Sequence, residues 1–143
     1  MEFRASRLSI LLALVLLACG DGTPFSPSVD TVSGSYHATV LTADQLSGST
    51  NYLLQGGSLT LTLASDGTTS GRLFVPGGDG GADADVDLAG SWALTGGTVT
   101  FTQNGDTFLR NLPFTATRNR LSADSTFNKG DINEYTIRVV LNK

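Results

Sequence analysis

Four aspartates crowd the middle of the chain: Asp79, Asp83, Asp85 and Asp87. Carboxylates at that density raise calcium, a hard cation that needs several oxygen ligands. The spacing fits neither familiar loop. As an EF-hand loop beginning at Asp83, it would need glycine at Leu88 and glutamate at Leu94. As a nonapeptide β-helix repeat, it lacks a second copy and has Ala82 where aspartate belongs. Asp83, Asp85 and Asp87 instead alternate on one face of a strand, as a solvated surface does, and no metal site is expected. His37 is the single imidazole. It alternates away from Tyr36 and Val40, which turns it outward and leaves no base for a Ser-His-Asp set. Glu134 is the only glutamate after Glu2, so paired acids across a cleft are not marked out either. These residues imply no cofactor and no catalytic group, and a non-catalytic protein is expected.

The aromatic residues Tyr36, Trp92, Phe101, Phe108 and Phe114 are the candidates for lining a ligand cavity. The same residues could equally fill a solid interior, since an eight-stranded barrel is just wide enough to be packed by side chains.

Cys19 is the only cysteine, so no disulfide can form within one chain. It ends an apolar run from Leu8 to Ala18 that follows Arg4 and Arg7, the layout of a secretory signal. That run is too short to span a bilayer, which takes ~20 apolar residues. Leu16-Leu17-Ala18-Cys19, with Gly20 next, resembles the lipobox of bacterial lipoprotein precursors. The resemblance implies cleavage before Cys19, acylation of Cys19, and anchoring in the cell envelope. Gly20 at the following position resembles the pattern of lipoproteins sent to the outer membrane of a diderm bacterium. Residues 1–18 are then a signal peptide, 19–31 the lipidated cysteine with a flexible tether, and 32–143 the folded domain. Pro24 and Pro27, with no hydrophobic periodicity around them, are what make the tether.

The chain has a net charge of −4. Cleavage would remove Arg4, Arg7 and Glu2, making the mature part more acidic, so nucleic acid is not an expected partner. Charged residues make up only 15%, against ~25% in an average domain. Threonine, serine, glycine and asparagine take their place, the composition of a turn-rich β protein.

From Val32 onward the apolar residues alternate, and no helical periodicity persists. The first strand is Ser33 to Leu41, with Tyr36, Ala38 and Val40 on one face, and Thr42 to Asn51 follows as a polar loop. Ser58 to Ala64 carries Leu59, Leu61 and Leu63 inward. A three-residue loop with Gly67 in the left-handed region leads to Thr69–Val75, predicting Leu61 opposite Leu73 and Leu59 opposite Val75. Pro76 to Asp83 reads as a glycine-rich loop. The fourth strand runs from Asp85 to Leu94, bent near Gly90. Gly96-Gly97 makes a two-residue turn that sets Leu94 opposite Val99 and Trp92 opposite Phe101. Asn104-Gly105 is expected to turn again and place Phe108 opposite Phe101. Phe114 to Thr117, Leu121 to Phe127 and Glu134 to Leu141 complete about eight strands.

Short hairpins in that number predict an all-β, eight-stranded up-and-down barrel, with a two-sheet β-sandwich as the alternative. Gly34-Ser35-Tyr36 and Gly90-Ser91-Trp92…Val99-Thr100-Phe101 resemble the small lipocalin-like domains of bacterial lipoproteins. By that resemblance Tyr36 stands where lipocalins carry a first-strand tryptophan, and Arg138 is the candidate for the late-strand arginine packed over it. The implied function is a membrane-anchored binding module for a small hydrophobic ligand. The alternative is a solid structural barrel that contacts envelope proteins or polymers.

Overall fold

The alternation of leucine, valine and aromatic residues with threonine and serine drives the chain into strands, and the computed structural model describes residues 24–79, 81–105 and 107–143 of it. A short helix, α1 (Val29–Val32), precedes β1 (Gly34–Gln45), β2 (Gly48–Asn51), β3 (Ser58–Leu63), β4 (Thr68–Asp79) and β5 (Ala82–Asp87). Then follow β6 (Gly90–Thr95), β7 (Thr98–Gln103), β8 (Phe114–Thr117), β9 (Arg120–Phe127) and β10 (Tyr135–Asn142). The ring runs β1-β3-β4-β6-β7-β8-β9-β10 and closes where β10 pairs with β1, from His37↔Asn142 to Gln45↔Tyr135. These eight antiparallel strands make a closed up-and-down barrel, and closure excludes the sandwich. Two further strands stand outside the ring at one end, which we call the mouth. There β2 pairs with the last four residues of β1, and β5 with the upper part of β4.

The glycine turns work as their residue types dictate. Gly96 and Gly97 have φ of 57° and 86°, the positive values that a two-residue hairpin turn requires. Trp92 lies opposite Phe101 and Leu94 opposite Val99, as the sequence predicts. Gly67 is left-handed, with φ of 86°, in the predicted three-residue loop. The pairing beyond it differs by two residues, however. Leu59 meets Leu73 and Leu61 meets Gly71, because the loop closes on the Ala64–Thr68 hydrogen bond of 2.9 Å. A shift of two keeps every leucine on the inner face and Arg72 outside. At Gly71 and Gly90 an added Cβ would lie 2.2 Å from the carbonyl oxygens of Thr60 and Thr102. Only glycine allows the strands to approach this closely as the wall bends.

Four expectations give way. The first strand continues to Gln45 rather than ending at Leu41. A register shift between Ala38 and Val40 moves Val40 off the inner face and turns Leu41 and Ala43 inward, so the expected polar loop is a hairpin. Pro76 to Asp79 belongs to β4, and the glycine-rich stretch is the tip of the β4–β5 hairpin. The strand expected from Asp85 to Leu94 is broken at Leu88-Ala89. The Leu88 amide turns to Gly71 there (3.0 Å), and the leucine side chain is fully buried. Finally, Asn104-Gly105 is not a hairpin, and Phe108 does not lie opposite Phe101. Asn104 donates to the carbonyl of Ala89 (3.1 Å), and the chain crosses the mouth through a 3₁₀ turn at Phe108–Asn111. Burying Leu109 and Leu112 favours this path, and β8 joins β7 only lower down, at Val99↔Phe114.

The other end is closed. Ser28 and Thr31 form a reciprocal capping box on α1, which presents Val32 to the core with none of its surface exposed. Tyr36 donates its hydroxyl to the Val32 carbonyl. The Lys143 ammonium donates to the Thr31 carbonyl (2.7 Å) and lies 5.4 Å from the centre of the Tyr36 ring. Lys143, and not Arg138, is therefore the base over the first-strand aromatic. Ile137, Val139 and Leu141 point inward, so Arg138 faces out and bonds Asp124 at 2.9 Å.

Candidate functional site

The inward side chains differ in size along the barrel axis. Near the closed end they are Tyr36, Leu63, Trp92, Phe101, Phe114 and Leu121, all buried in one cluster. Phe101 meets Phe114 edge-on, with ring centres 5.4 Å apart. The Trp92 indole N–H donates to the Ala64 carbonyl at 2.8 Å, so its one polar atom is satisfied within the core. Toward the mouth the inward positions carry smaller groups, and a cavity of about 700 Å³ opens there.

Leu41, Ala43, Leu73, Val75 and Ile137 form its apolar wall. Tyr52, Phe108 and Tyr135 supply aromatic surface, and Thr42, Gln45 and Thr107 supply polar atoms. Tyr135 is held in place by stacking on Phe127, with ring centres 5.1 Å apart and planes 15° from parallel. Each wall residue is set by an element already described. The register shift in β1 turns Leu41 and Ala43 inward, the β4–β5 hairpin brings Ala84 and Val86 up, and the crossing segment after β7 lays Thr107 and Phe108 over the opening. That segment is pressed tightly onto β5, since a Cβ at Gly105 would meet the Val86 side chain at 2.5 Å.

Of the five aromatics singled out in the sequence, only Phe108 lines the cavity. Tyr36, Trp92, Phe101 and Phe114 lie in the packed half below it. Sequence reading missed Tyr52 and Tyr135. Tyr135 heads a strand whose inner face was recognised, which was the available signal; Tyr52 lies in a stretch that alternation does not mark. Cys19 lies outside the described residues.

The acids sit on the outside. Asp85 takes both hydrogen bonds of the Arg72 guanidinium, one of them at 2.6 Å to Nε, and this partner holds its carboxyl below the usual aspartate range. Asp83 accepts from the Gly77 amide at 3.0 Å. Among the described residues no three His, Cys, Asp or Glu side chains come together. His37 is exposed on the outer face. One polar group behind the cavity stands out: Gln103 is buried, its amide nitrogen has no partner among the described residues, and its oxygen accepts from Thr107 at 3.4 Å.

The fold and site define a closed β-barrel, solid at one end and hollow at the other. No family model matches the chain, and no curated protein sequence does. Among solved structures it aligns with a chain titled Odorant Binding Protein OBP1, at 12% identity and a TM-score of 0.43, over 83% of this chain and 75% of that one. The architecture stated above rests on the strand pairing alone.

Proposed function

We propose that the protein is a non-catalytic carrier of the cell envelope, anchored through Cys19, which holds a small apolar molecule in the mouth cavity. The observation that carries the ligand half is the cavity itself. Its volume of about 700 Å³ falls inside the ~300–1,000 Å³ range of small-molecule pockets. Its wall combines a leucine–valine–isoleucine surface with a polar surface of similar extent, which suits a small amphiphile. Titration with N-phenyl-1-naphthylamine, a neutral probe that fluoresces in apolar surroundings, tests it. Saturable uptake of one probe per chain, weakened by Phe108→Ala, is expected; no uptake overturns the reading. The anchoring half rests on the lipobox and is tested by labelled palmitate. Wild type should take up the label and Cys19→Ser should not.

A second reading, an interaction module that contacts envelope proteins, is favoured by three loop residues at the mouth end. Leu46, Leu54 and Ile132 are 84%, 86% and 85% exposed. If the probe does not bind, this reading takes precedence.

A further inference from the structure

We infer that the cavity selects its ligand by charge, accepting neutral or cationic amphiphiles and rejecting anionic ones such as fatty-acid carboxylates. This rests on the carrier reading above. Among the described residues no lysine, arginine or histidine lines the cavity, so its wall offers a carboxylate neutral donors but no opposite charge. An anion entering it gives up hydration that neutral donors replace only in part.

The surroundings add to this. Asp44 lies near the upper end of β1, Asp83 and Asp85 on β5, and Asp131 and Glu134 in the β9–β10 loop, so acids ring the mouth. Asp83 and Asp85 stand at the cavity's edge, with the Asp85 carboxylate turned outward to Arg72. The bases at this end are Lys129 in the β9–β10 loop, Arg110 on the 3₁₀ turn, and Arg72 on the outer wall, where it is engaged by Asp85. Arg118, Arg120 and Lys143 lie at the opposite, closed end, together with Asp30 and Asp66. Among the described residues acids thus outnumber bases around the opening and do not at the closed end. A low-dielectric pocket beneath such a ring focuses the field onto whatever enters.

Competition against bound N-phenyl-1-naphthylamine tests the inference with three twelve-carbon ligands: dodecanol, dodecyltrimethylammonium and dodecanoate at pH 8, all kept below their aggregation concentrations. The alcohol and the ammonium should displace the probe, the carboxylate at least about tenfold more weakly, a ratio within reach of a few carboxylates acting at medium range. Raising the salt to 0.5 M should shrink the gap between ammonium and carboxylate. Asp83→Asn/Asp85→Asn should narrow it as well, and Gln45→Lys, which puts a base in the wall, should improve dodecanoate binding about tenfold. Equal or tighter binding of dodecanoate to the wild type would overturn the charge selection while leaving the carrier reading intact. Failure of the probe itself to bind would instead bring down the carrier reading.

Discussion

The two ends of the barrel are built by the same alternation and reach opposite outcomes. At the closed end the inward residues are Tyr36, Trp92, Phe101 and Phe114, and they meet in the middle. At the mouth they are Ala43, Val75, Ala84 and Ile137, and they do not. An eight-stranded barrel is close to the width at which side chains just fill the interior, so small inward groups such as Ala43 and Ala84 leave space even with Tyr52, Phe108 and Tyr135 at its border. Strand construction follows the same division. The closed end has tight, continuous pairing through Gly96-Gly97, whereas the mouth has the register shift in β1, the break at Leu88-Ala89 and the outlying β2 and β5. The solid half holds the barrel together, and the hollow half carries the departures from regular pairing.

Truncation in the solid half should break the protein. Trp92→Ala and Phe101→Ala are each expected to cost ~3–5 kcal/mol in denaturant melts, and the double variant less than their sum because the two are cross-strand partners. Additive losses would separate the residues and undo the register.

Next in size is a pH effect at the same end. Burial pushes the Tyr36 phenol up to about 12, so the unfolded chain gives up this proton first, near pH 10. Stability should be fully present below pH 10 and fall as pH rises toward 12. The share due to Tyr36 is about 2–3 kcal/mol for a shift of this size. Tyr36→Phe should flatten that part of the profile; an unchanged slope would mean that the hydroxyl is not buried as described.

In the hollow half the balance reverses. Phe108→Ala and Tyr135→Ala should weaken probe binding about tenfold or more, the loss of roughly 1.4 kcal/mol of contact, while stability falls by less than the Trp92 variant. A Phe108→Ala chain as unstable as Trp92→Ala would erase the distinction between the halves. Gln103 lies between them. Because its amide nitrogen lacks a partner among the described residues, Gln103→Met should leave stability unchanged or raise it by about 1 kcal/mol. A marked loss of stability would show that the amide is satisfied.

Smallest of all are the outer-face changes. His37→Ala and Asp85→Asn should leave the denaturant midpoint close to that of wild type, since one is exposed and the other forms a solvent-exposed ion pair.

Most of the solid half was readable from the residues. Trp92, Leu94, Val99 and Phe101 leave one sensible register around two glycines, and Leu59, Leu61 and Leu63 alternate without interruption. The hollow half was not readable, for a physical reason. Its devices are departures from alternation: one residue of slippage at Thr39, a turned amide at Leu88, and an Asn-Gly pair that passes on instead of turning. Asn104-Gly105 carries the usual hairpin signal. What overrides it is the burial of Leu109 and Leu112 against elements far away in sequence. Whether the aromatics line a cavity or fill the core stayed open for the same cause: the sequence shows which faces are apolar but not how far along the axis each residue lies.

The packing of residues 24–33 against the closed end has a topographic consequence. A lipid on Cys19 would stand five positions before Pro24, a reach of at most about 18 Å. The bilayer would then lie beneath the floor of the barrel. The twelve residues of β1 rise about 40 Å along the strand, or about 30 Å along the axis at the tilt of a small barrel. The opening, with Leu46, Leu54 and Ile132 around it, would be lifted that far above the leaflet that holds the anchor and would face away from it. If Cys19 carries the anchor and the cavity a ligand, such a cup would not scoop lipid from its own membrane; its cargo would arrive through the aqueous space or from a surface on the far side.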